Sequence, residues 1–500
     1  MRKSGILLPI FSLPSAGGKG GLGQEAYDFI DKLAEAGQHY WQVLPIGPVN
    51  EENCPYQSAS SFAGEITYIS LQKLAEEGLL TSEEADLPLK EALGKAFDRF
   101  DDHALFEAFC WYEREWLDDY ALYTALSEHF GTGRWDSWSD SLRDRDPQAL
   151  HEWTMKLEQD IQYCKWTQYL FFRQWHQLLE YAHTKGIEMI GDLPYFAAFE
   201  SADCWAAREL FMVDANGRQT FLAGAPPDAF TAEGQCWGNP VYDWAQHRAQ
   251  GYSWWMRRIR QQFRFFDVVR IDHMRGFESF YVIPAETEDP KDGHWEKGPG
   301  TEFFDTVKAQ LGEGRFIAED LGYLTEEVKE MVRNTGFPGM KILQFAFDTG
   351  EENVYLPFNY DTDNAVVYNG THDNDTTMGW YKKAEDWKQR FVSWYLREKS
   401  DIPEERKYEL FAGYKSEESA ADAIMEPREA VRGLIEMAFS TRCDTCIISM
   451  QDYLMLGSEA RINVPGIAEG NWVWQMDEGA FTEELAAYIS EISGIYDRKG

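Results

Sequence analysis

Short apolar runs recur along the chain, and most of them precede a stretch of helical periodicity. Eight runs have the length and residue content of buried parallel strands. They are Gly5–Leu8, Trp41–Leu44, Ile187–Gly191, Asp267–Ile271, Arg315–Ala318, Lys341–Phe345, Ala365–Asn369 and Thr445–Ser449. Amphipathic helices are clearest over Gln24–Ala36 and Ile161–Thr184, and a glycine ends each. Eight strands alternating with helices predict a (β/α)8 barrel, a fold of the α/β class.

The spacing of these runs is uneven. Positions 46–186 separate the second and third strands, 193–266 separate the third and fourth, and 371–444 separate the seventh and eighth. We therefore predict one catalytic barrel over residues 1–500 with three insertions. The first is a mostly helical subdomain, the second a subdomain that lines the cleft, and the third a helical segment.

Charge and composition narrow the functional classes. Lys and Arg number 47 against 85 Asp and Glu, so the formal net charge is −38. A chain this acidic repels phosphate backbones and anionic lipid headgroups, so we expect neither nucleic acid nor a membrane surface as a partner. No run approaches the ~18 consecutive apolar residues of a membrane span. The aromatic fraction of 15% fits a large core or rings that stack on flat ligands such as sugars.

The first residues and the cysteines favour a cytoplasmic location. Residues 2–13 imitate a short signal peptide, but Pro9 interrupts the apolar run and no A-x-A cleavage site follows. Seven scattered cysteines are an odd number, which argues against a secreted disulfide framework. The C-x-x-C of Cys443 and Cys446 has no second pair, so we expect no metal site. We expect a monomer or homodimer that needs no cofactor.

Residues 18–23 (GKGGLG) fit the G-x-G-x-x-G spacing of dinucleotide-binding folds, between a strand and a helix. Such a site also needs an acidic residue at the end of the next strand, which here ends in Val43-Leu44-Pro45. We therefore interpret the segment as a glycine-rich turn at the mouth of the barrel.

Acidic residues stand at the ends of four predicted strands. They are Asp192, Asp272, Glu319 and Asp373. In a barrel, the carboxyl ends of the strands face the active site, so these side chains should converge. Like charges that lie close together raise one another's pKa, so such a cluster is costly unless it has a use.

Three uses of these carboxylates are open. Aspartates often cap helices, which suits the neighbouring Asp320 and Asp375, and clustered carboxylates can hold a metal ion. For Asp272 we favour catalysis, because the two-residue period of a strand puts Arg270 on the same face, where its charge keeps Asp272 ionised. An ionised carboxylate beside a protonatable one is the pair that a retaining glycosidase uses.

Ordered motifs extend over nearly the whole chain. They are Pro55–Ser58, Ser61–Gly64, Gly191–Pro194, Pro226–Asp228, Gly234–Gln235, Trp237–Pro240, Val269–His273, Arg275–Gly276, Ala318–Gly322, Pro338–Lys341, Gln344–Phe347, Gly370–Thr377, Gln451–Asp452, Gly457–Arg461 and Gly470–Trp472. In these motifs the chain resembles the 4-α-glucanotransferases of glycoside hydrolase family 77, called amylomaltases or disproportionating enzymes. The resemblance implies transfer of an α-1,4-glucan segment from a donor maltooligosaccharide to the 4-OH of an acceptor glucose or glucan, with retention.

The resemblance also implies residue roles. Asp272 would be the nucleophile that forms a covalent glycosyl-enzyme, and Glu319 would be the general acid and base. Asp373 would be a third catalytic carboxylate that grips sugar hydroxyls. The substrate-binding residues that it implies are Tyr56, Asp192, Gln235, Trp237, Arg270 and His372.

The chain departs from the family pattern at several positions. Glu65 and Ile66 stand where an Asn-Pro pair is usual, and Ala229 replaces a Tyr expected to touch glucan. Ile462 and Gln475 replace a usual Met and Arg. None of these changes removes a catalytic carboxylate. Two other functions stay open: a hydrolase with the same site, and a glycan-binding protein whose site is inactive.

Overall fold

A closed ring of parallel strands organises the chain in the computed structural model, which describes residues 2–15, 18–227, 232–322, 324–412, 423–467 and 469–499. The strands of these residues are β1 (Lys3–Leu7), β2 (Tyr40–Gln42), β3 (Glu188–Leu193), β4 (Phe221–Ala225), β5 (Gln235–Pro240), β6 (Val268–Ile271), β7 (Ser279–Pro284), β8 (His294–Lys297), β9 (Phe316–Ala318), β10 (Gly339–Ile342), β11 (Ala365–Tyr368) and β12 (Thr445–Ser449).

Helices cover the ring and fill its connections. They are α1 (Gln24–Glu35), α2 (Leu71–Glu76), α3 (Leu89–Arg99), α4 (His103–Phe130), α5 (Asp140–Arg143), α6 (Pro147–Lys156), α7 (Glu158–Thr184), α8 (Ala202–Ala206), α9 (Trp244–Ala249), α10 (Ser253–Phe265), α11 (Thr301–Leu311), α12 (Glu326–Thr335), α13 (Thr377–Lys383), α14 (Asp386–Glu398), α15 (Glu404–Leu410), α16 (Pro427–Ser440), α17 (Met450–Tyr453) and α18 (Glu483–Ile495).

The barrel closes in the order β1-β12-β11-β10-β9-β6-β3-β2, and all its pairings are parallel. The first strand pairs with the last, with Lys3 opposite Thr445. The interior is packed with buried apolar side chains such as Ile190, Ile342 and Ile447. Because every predicted strand supplies one strand of this ring, the predicted (β/α)8 barrel is confirmed.

The sixth barrel strand differs in its bounds from the sequence prediction of Lys341–Phe345. The strand β10 covers Gly339–Ile342, and the chain then turns into a short 3₁₀ helix over Leu343–Phe347. That helix is also buried and apolar, so hydrophobicity alone does not separate it from the strand.

A second, four-stranded antiparallel sheet was not predicted from the sequence. Its order is β5-β4-β7-β8. The strands β4 and β5 come from the connection between β3 and β6, whereas β7 and β8 come from the connection between β6 and β9. A pattern read along the chain does not indicate pairing between two connections, and we had expected an insertion in only the first of them.

The longer connections leave the barrel at the carboxyl ends of its strands. The helices α2 to α7 lie between β2 and β3, and α13 to α16 lie between β11 and β12. The bounds 46–186, 193–266 and 371–444, and their treatment as subdomains of one barrel, stay predictions.

The glycine-rich segment before α1 forms a tight turn. A Cβ atom on Gly20 would lie 2.2 Å from the carbonyl oxygen of Ile10, and one on Gly21 would lie 2.8 Å from that of Tyr68. The Glu25 carboxylate accepts a hydrogen bond from the Gly21 amide at 3.1 Å. The glycines therefore allow close packing, and the chain's own carboxylate binds an amide that a phosphate would need in a dinucleotide fold.

Candidate active site

Four acidic side chains lie at the carboxyl ends of the barrel strands. Asp192 is the penultimate residue of β3, Asp272 directly follows β6, and Glu319 directly follows β9. Asp373 lies in the loop after β11. The negative charges of Asp192 and Asp373 raise the pKa of Asp272, and that of Asp272 raises the pKa of Glu319, so the four carboxyl groups lie close to one another. Their catalytic and binding roles stay predictions.

Arg270 forms ion pairs with two of these carboxylates. Its Nη1 atom lies 2.7 Å from Asp192 Oδ2 and 3.1 Å from Asp272 Oδ1. The Asp192 carboxylate is fully buried and also accepts a hydrogen bond from the Tyr56 hydroxyl at 2.8 Å. The Asp192 carboxylate therefore holds the side chains of Arg270 and Tyr56 in place. Its expected role in binding substrate stays a prediction.

Two backbone amides hold the Glu319 carboxylate. The amide of His273 donates to Oε2 at 2.7 Å, and the amide of Leu321 donates to Oε1 at 3.1 Å. The first of these amides belongs to the residue after Asp272, so a single turn orients both carboxylates. This geometry fixes the position of Glu319 without neutralising its charge.

Burial raises the pKa of both Asp272 and Glu319. The positive charge of Arg270 opposes this rise in both, and it contacts Asp272 directly, whereas the negative charge of Asp272 raises the pKa of Glu319 further. The site therefore favours one ionised carboxylate, on Asp272, beside one protonated carboxyl group, on Glu319.

Asp373 is held by residues that sequence reasoning did not select. Asn463 donates a side-chain hydrogen bond to Asp373 Oδ1 at 2.6 Å, and Arg461 donates to the Asp373 carbonyl oxygen at 2.7 Å. His372 Nε2 lies 3.5 Å from the same Oδ1 atom. Arg461 occurs in a motif quoted above, but nothing in the sequence pattern marks Asn463, which packing alone brings to the site.

Tyr56 and His372 form one wall of the cleft. Their rings stack with centroids 5.4 Å apart and planes inclined by 16°, and the Trp472 ring lies 5.7 Å from that of Tyr56. The Tyr56 hydroxyl donates to Asp192, so the His372 Nε2–H group 2.8 Å away is the donor to the tyrosine oxygen. Burial lowers the pKa of His372, which favours the neutral ring, and in that ring the bond requires the tautomer with its proton on Nε2.

Gln235 and Trp237 come from β5 of the small sheet. The Trp237 indole N–H donates to Gln235 Oε1 at 3.0 Å, and the Gln57 side chain donates to the Trp237 carbonyl oxygen at 3.2 Å. The Trp237 ring lies edge-on to the His273 ring at 5.2 Å. Trp237 therefore lies beside the turn that follows Asp272, and Gln235 is hydrogen-bonded to Trp237. Their role in binding substrate stays a prediction.

His273 is a further residue that sequence reasoning did not select. Its backbone adopts the left-handed conformation with φ +47°, which is strained for a non-glycine residue. Its Nε2 atom is buried without a hydrogen-bond partner among the described residues, and burial lowers the pKa of the ring to about 3. The side chain is thus a neutral ring with an unused polar atom.

The Glu65 departure from the family pattern has a local structural explanation. The carboxylate accepts hydrogen bonds from the amides of Val49 and Thr67, each at 2.8 Å, and the residue is buried. Glu65 therefore shapes the loop that carries Tyr56 rather than contacting a ligand.

Ile462 and Gln475 also have local structural surroundings, and Ile462 stands between Arg461 and Asn463, which both contact Asp373. Ile462 is buried in the core, and the Gln475 side chain donates to the Leu13 carbonyl oxygen at 3.1 Å. Ala229 lies outside the described residues.

The described residues contain neither a metal-binding cluster nor a membrane-spanning helix. No group of three or more His, Cys, Asp and Glu side chains there is arranged to hold a metal ion. No helix in that part of the chain has both the length and the apolar character needed to cross a membrane. The seven cysteines are free thiols, and Cys443 and Cys446 are buried in the core.

The fold and the site together define a class. A closed parallel barrel whose strand ends bring an arginine-contacted carboxylate together with a second carboxyl group is typical of enzymes that act on glycosidic bonds.

Comparisons with known proteins place the chain within this class. The family model described as 4-alpha-glucanotransferase matches residues 8–481. A 4-alpha-glucanotransferase of Streptococcus pneumoniae is 40% identical over 519 residues, which are 99% of this chain and 97% of the relative. One of Thermus thermophilus is 40% identical over 516 residues, 99% of each chain. The chain therefore belongs to the 4-alpha-glucanotransferase family, glycoside hydrolase family 77, and is an enzyme.

A solved structure supports the same placement. The amylomaltase of Streptococcus agalactiae in complex with acarbose superposes with a TM-score of 0.91 at 34% identity, and each chain is covered completely. The amylomaltase of Corynebacterium glutamicum shares the fold, with a TM-score of 0.75 at 19% identity over 98% of this chain and 75% of that one.

Proposed function

We propose that this enzyme transfers an α-1,4-glucan segment from a donor maltooligosaccharide to the 4-OH of an acceptor glucose or glucan by double displacement. The observation that carries the proposal is the pairing of an arginine-contacted Asp272 with a half-buried Glu319 that two backbone amides hold. The names of the relatives and the bound acarbose of the S. agalactiae structure support a glucan as substrate.

In the first step, the Asp272 carboxylate attacks the anomeric carbon of the donor sugar. The bond to the leaving oxygen breaks as Glu319 gives that oxygen its proton, and a covalent glycosyl-enzyme forms. Arg270 keeps Asp272 ionised until the attack, and the two amides aim Glu319 at the departing oxygen.

In the second step, the 4-OH of the acceptor replaces the leaving group. Glu319, now ionised, removes the hydroxyl proton while the oxygen attacks the anomeric carbon, which restores the free Asp272 carboxylate. Two inversions at one carbon give retention. Transfer then competes with hydrolysis, and it prevails only where the bound acceptor is oriented and water is excluded.

The remaining side chains would bind the donor sugar. Asp373 is partly exposed, so its carboxylate can accept hydrogen bonds from sugar hydroxyls while Asn463 holds it in place. The ring of Tyr56 would stack against the sugar, because Asp192 and His372 fix its hydroxyl. A cytoplasmic location and a monomeric or dimeric state stay predictions.

Incubation with pure maltotriose tests the function. Transfer conserves the number of glycosidic bonds, so we expect glucose together with a ladder of longer maltooligosaccharides, while total reducing ends stay nearly constant. Chromatographic sizing and a reducing-end assay on the same samples measure both quantities.

A hydrolase would give the opposite pattern in this experiment. Reducing ends would rise steadily and no product would exceed the substrate in length. An inert glycan-binding protein would leave maltotriose unchanged over the same time.

The plot of the transfer rate against pH should be bell-shaped. Glu319 must be protonated, and burial raises its pKa above the ordinary value of 4.5, so the rate should persist through neutral pH and fall as pH rises through the raised pKa. Asp272 must be ionised, and its pKa is also raised by burial, so the acid limb should lie above the usual range of an aspartate. Initial rates of glucose release between about pH 4 and about pH 9 measure both limbs. A flat profile would contradict the two-carboxylate mechanism.

A further inference from the structure

The carboxylate of Asp320, the residue after Glu319, binds the neighbouring barrel strand. Its Oδ1 atom accepts a hydrogen bond at 2.7 Å from the amide of Met340 in β10. Helix capping suited this residue on sequence grounds, but the next helix, α12, begins at Glu326 and is capped by the Thr325 side chain. The Asp320 carboxylate therefore joins the turn that carries Glu319 to β10 instead of capping that helix.

A glycine of β10 leaves the space that this carboxylate occupies. A Cβ atom on Gly339 would lie 2.4 Å from Asp320 Oδ2 and 2.8 Å from both Oδ1 and Cγ, and these are the three nearest atoms. Close-packed interiors do not tolerate such short contacts, so a side chain at this position would displace the carboxylate. The φ angle of Gly339 lies outside the left-handed region, so it is the space, and not the backbone conformation, that requires a glycine here.

The backbone of Glu319 is held on its opposite side by β6 and the turn after it. The Glu319 amide donates to the Ile271 carbonyl oxygen at 3.0 Å, and the Glu319 carbonyl oxygen accepts from the Met274 amide at 3.2 Å. In the barrel, β9 lies between β6 and β10. The side chain of Asp320 thus supplies a hydrogen bond on the β10 side that matches the backbone contacts on the β6 side.

A shift of Asp320 would change the surroundings of the Glu319 carboxyl group. The amide that holds Glu319 Oε1 belongs to Leu321, which directly follows Asp320, so it would move with that residue. A general acid must lie within hydrogen-bond reach of the leaving oxygen. A misplacement of about 1 Å can lower a rate on the order of 10²-fold.

We propose that Asp320 and Gly339 form a positioning pair for the general acid. The carboxylate of Asp320 fills the space that Gly339 leaves, and it thereby holds Glu319 at the leaving oxygen. Asp320 acts through Glu319 and not on the reacting atoms. The proposal rests on the proposed function, because it assigns the support of the same acid.

Asp320→Ala in the full-length enzyme, assayed with two donors, tests this role. The hydrogen bond to Met340 is lost, so glucose release from maltotriose should fall about 10- to 100-fold. α-Glucosyl fluoride with azide as acceptor needs no proton for the leaving group and no base. Fluoride release in this assay should therefore stay within about threefold of the unmodified enzyme. Equal losses with both donors, or no loss with maltotriose, would overturn the proposal.

Asp320→Asn keeps an oxygen that can accept the hydrogen bond from the Met340 amide. Its rate with maltotriose should stay within about threefold of the unmodified enzyme, because the contact to β10 is preserved. A loss as large as that of the alanine variant would contradict a role that depends on this hydrogen bond.

Gly339→Ala tests the other member of the pair. The added methyl group displaces the carboxylate, so this variant should show the same selective loss with maltotriose. In the Asp320→Ala background the space is empty, and the same substitution should change the rate less than about twofold further. Losses that multiply in the double variant would show that the two residues act independently.

Gly350→Ala is the matched control. A Cβ atom there would also lie close to a carboxylate oxygen, 2.7 Å from Glu352 Oε2, but both residues are exposed. The rates with both donors should change less than about twofold. The same selective loss in this variant would overturn the proposal.

Glu319→Gln, assayed in parallel, separates this proposal from the proposed function. If this variant loses activity with maltotriose but not with the fluoride and azide, while Asp320→Ala does not, only the positioning pair is overturned. If Glu319→Gln loses equally with both donors, the assignment of the acid fails as well. Glucose release counts cleavage by a transferase or a hydrolase alike. Thermal unfolding checks that each variant folds, and Asp320→Ser replaces the alanine variant if that one does not.

Discussion

Asp272→Asn should lower the transfer rate on the order of 10⁴-fold or more. The substitution keeps the size of the side chain and removes the charge that attacks the anomeric carbon, so no glycosyl-enzyme can form. Steady-state rates of glucose release from maltotriose measure the effect. A variant that keeps a tenth of the normal rate would exclude Asp272 as the nucleophile.

The same variant should fold at least as stably as the unmodified enzyme at neutral pH. Because burial raises the folded-state pKa of Asp272, its contribution to stability is full below the unfolded pKa and is lost as pH rises through the folded one. An uncharged asparagine avoids that loss. Asp267→Asn is the control for activity, because Asp267 directly precedes β6 at the end opposite to Asp272. Asp267 contacts His183 and the Met189 amide and no reacting group, so the transfer rate of this variant should change less than about twofold.

Glu319→Gln should lower transfer from maltotriose on the order of 10²- to 10⁴-fold, because the leaving oxygen receives no proton. α-Glucosyl fluoride needs no such proton to leave. With this donor the first step should recover, and the glycosyl-enzyme should accumulate, since no base activates the acceptor. Mass spectrometry of the intact protein detects the added glucosyl group.

Azide provides a second test of the role of Glu319. This anion attacks without base assistance, so it should release the accumulated glycosyl-enzyme as an α-glucosyl azide. Glu326→Gln, an exposed residue of α12 paired with Lys329, is the matched control and should behave like the unmodified enzyme. Equal losses with maltotriose and the fluoride, with no adduct, would show that Glu319 is not the acid.

The barrel could be predicted from the sequence because its signals are local. Each buried strand is a continuous apolar run, and an acidic residue follows closely after it. Asp272, Glu319 and Asp373 could therefore be selected without knowing which strands are neighbours. Arg270 was selected for the same reason, since it shares a strand face with Asp272.

The features that the sequence did not reveal depend on contacts between distant segments. Asn463 reaches Asp373 across 90 residues, and the small sheet joins two separate connections. The burial of Asp192 beneath Tyr56 is likewise a result of packing, because the same residue at a strand end could equally have faced the cleft. The left-handed backbone conformation of His273 could not be predicted from its residue type.

The pairing of β1 with β12 has a consequence for how the protein is made. The first strand emerges from the ribosome early, but its partner on one side is the last strand of the barrel, so one edge stays open through most of synthesis. Contacts this distant in sequence close late and slowly. Nascent chains with an unpaired edge and exposed apolar faces are prone to aggregate, so refolding yield should fall as protein concentration rises.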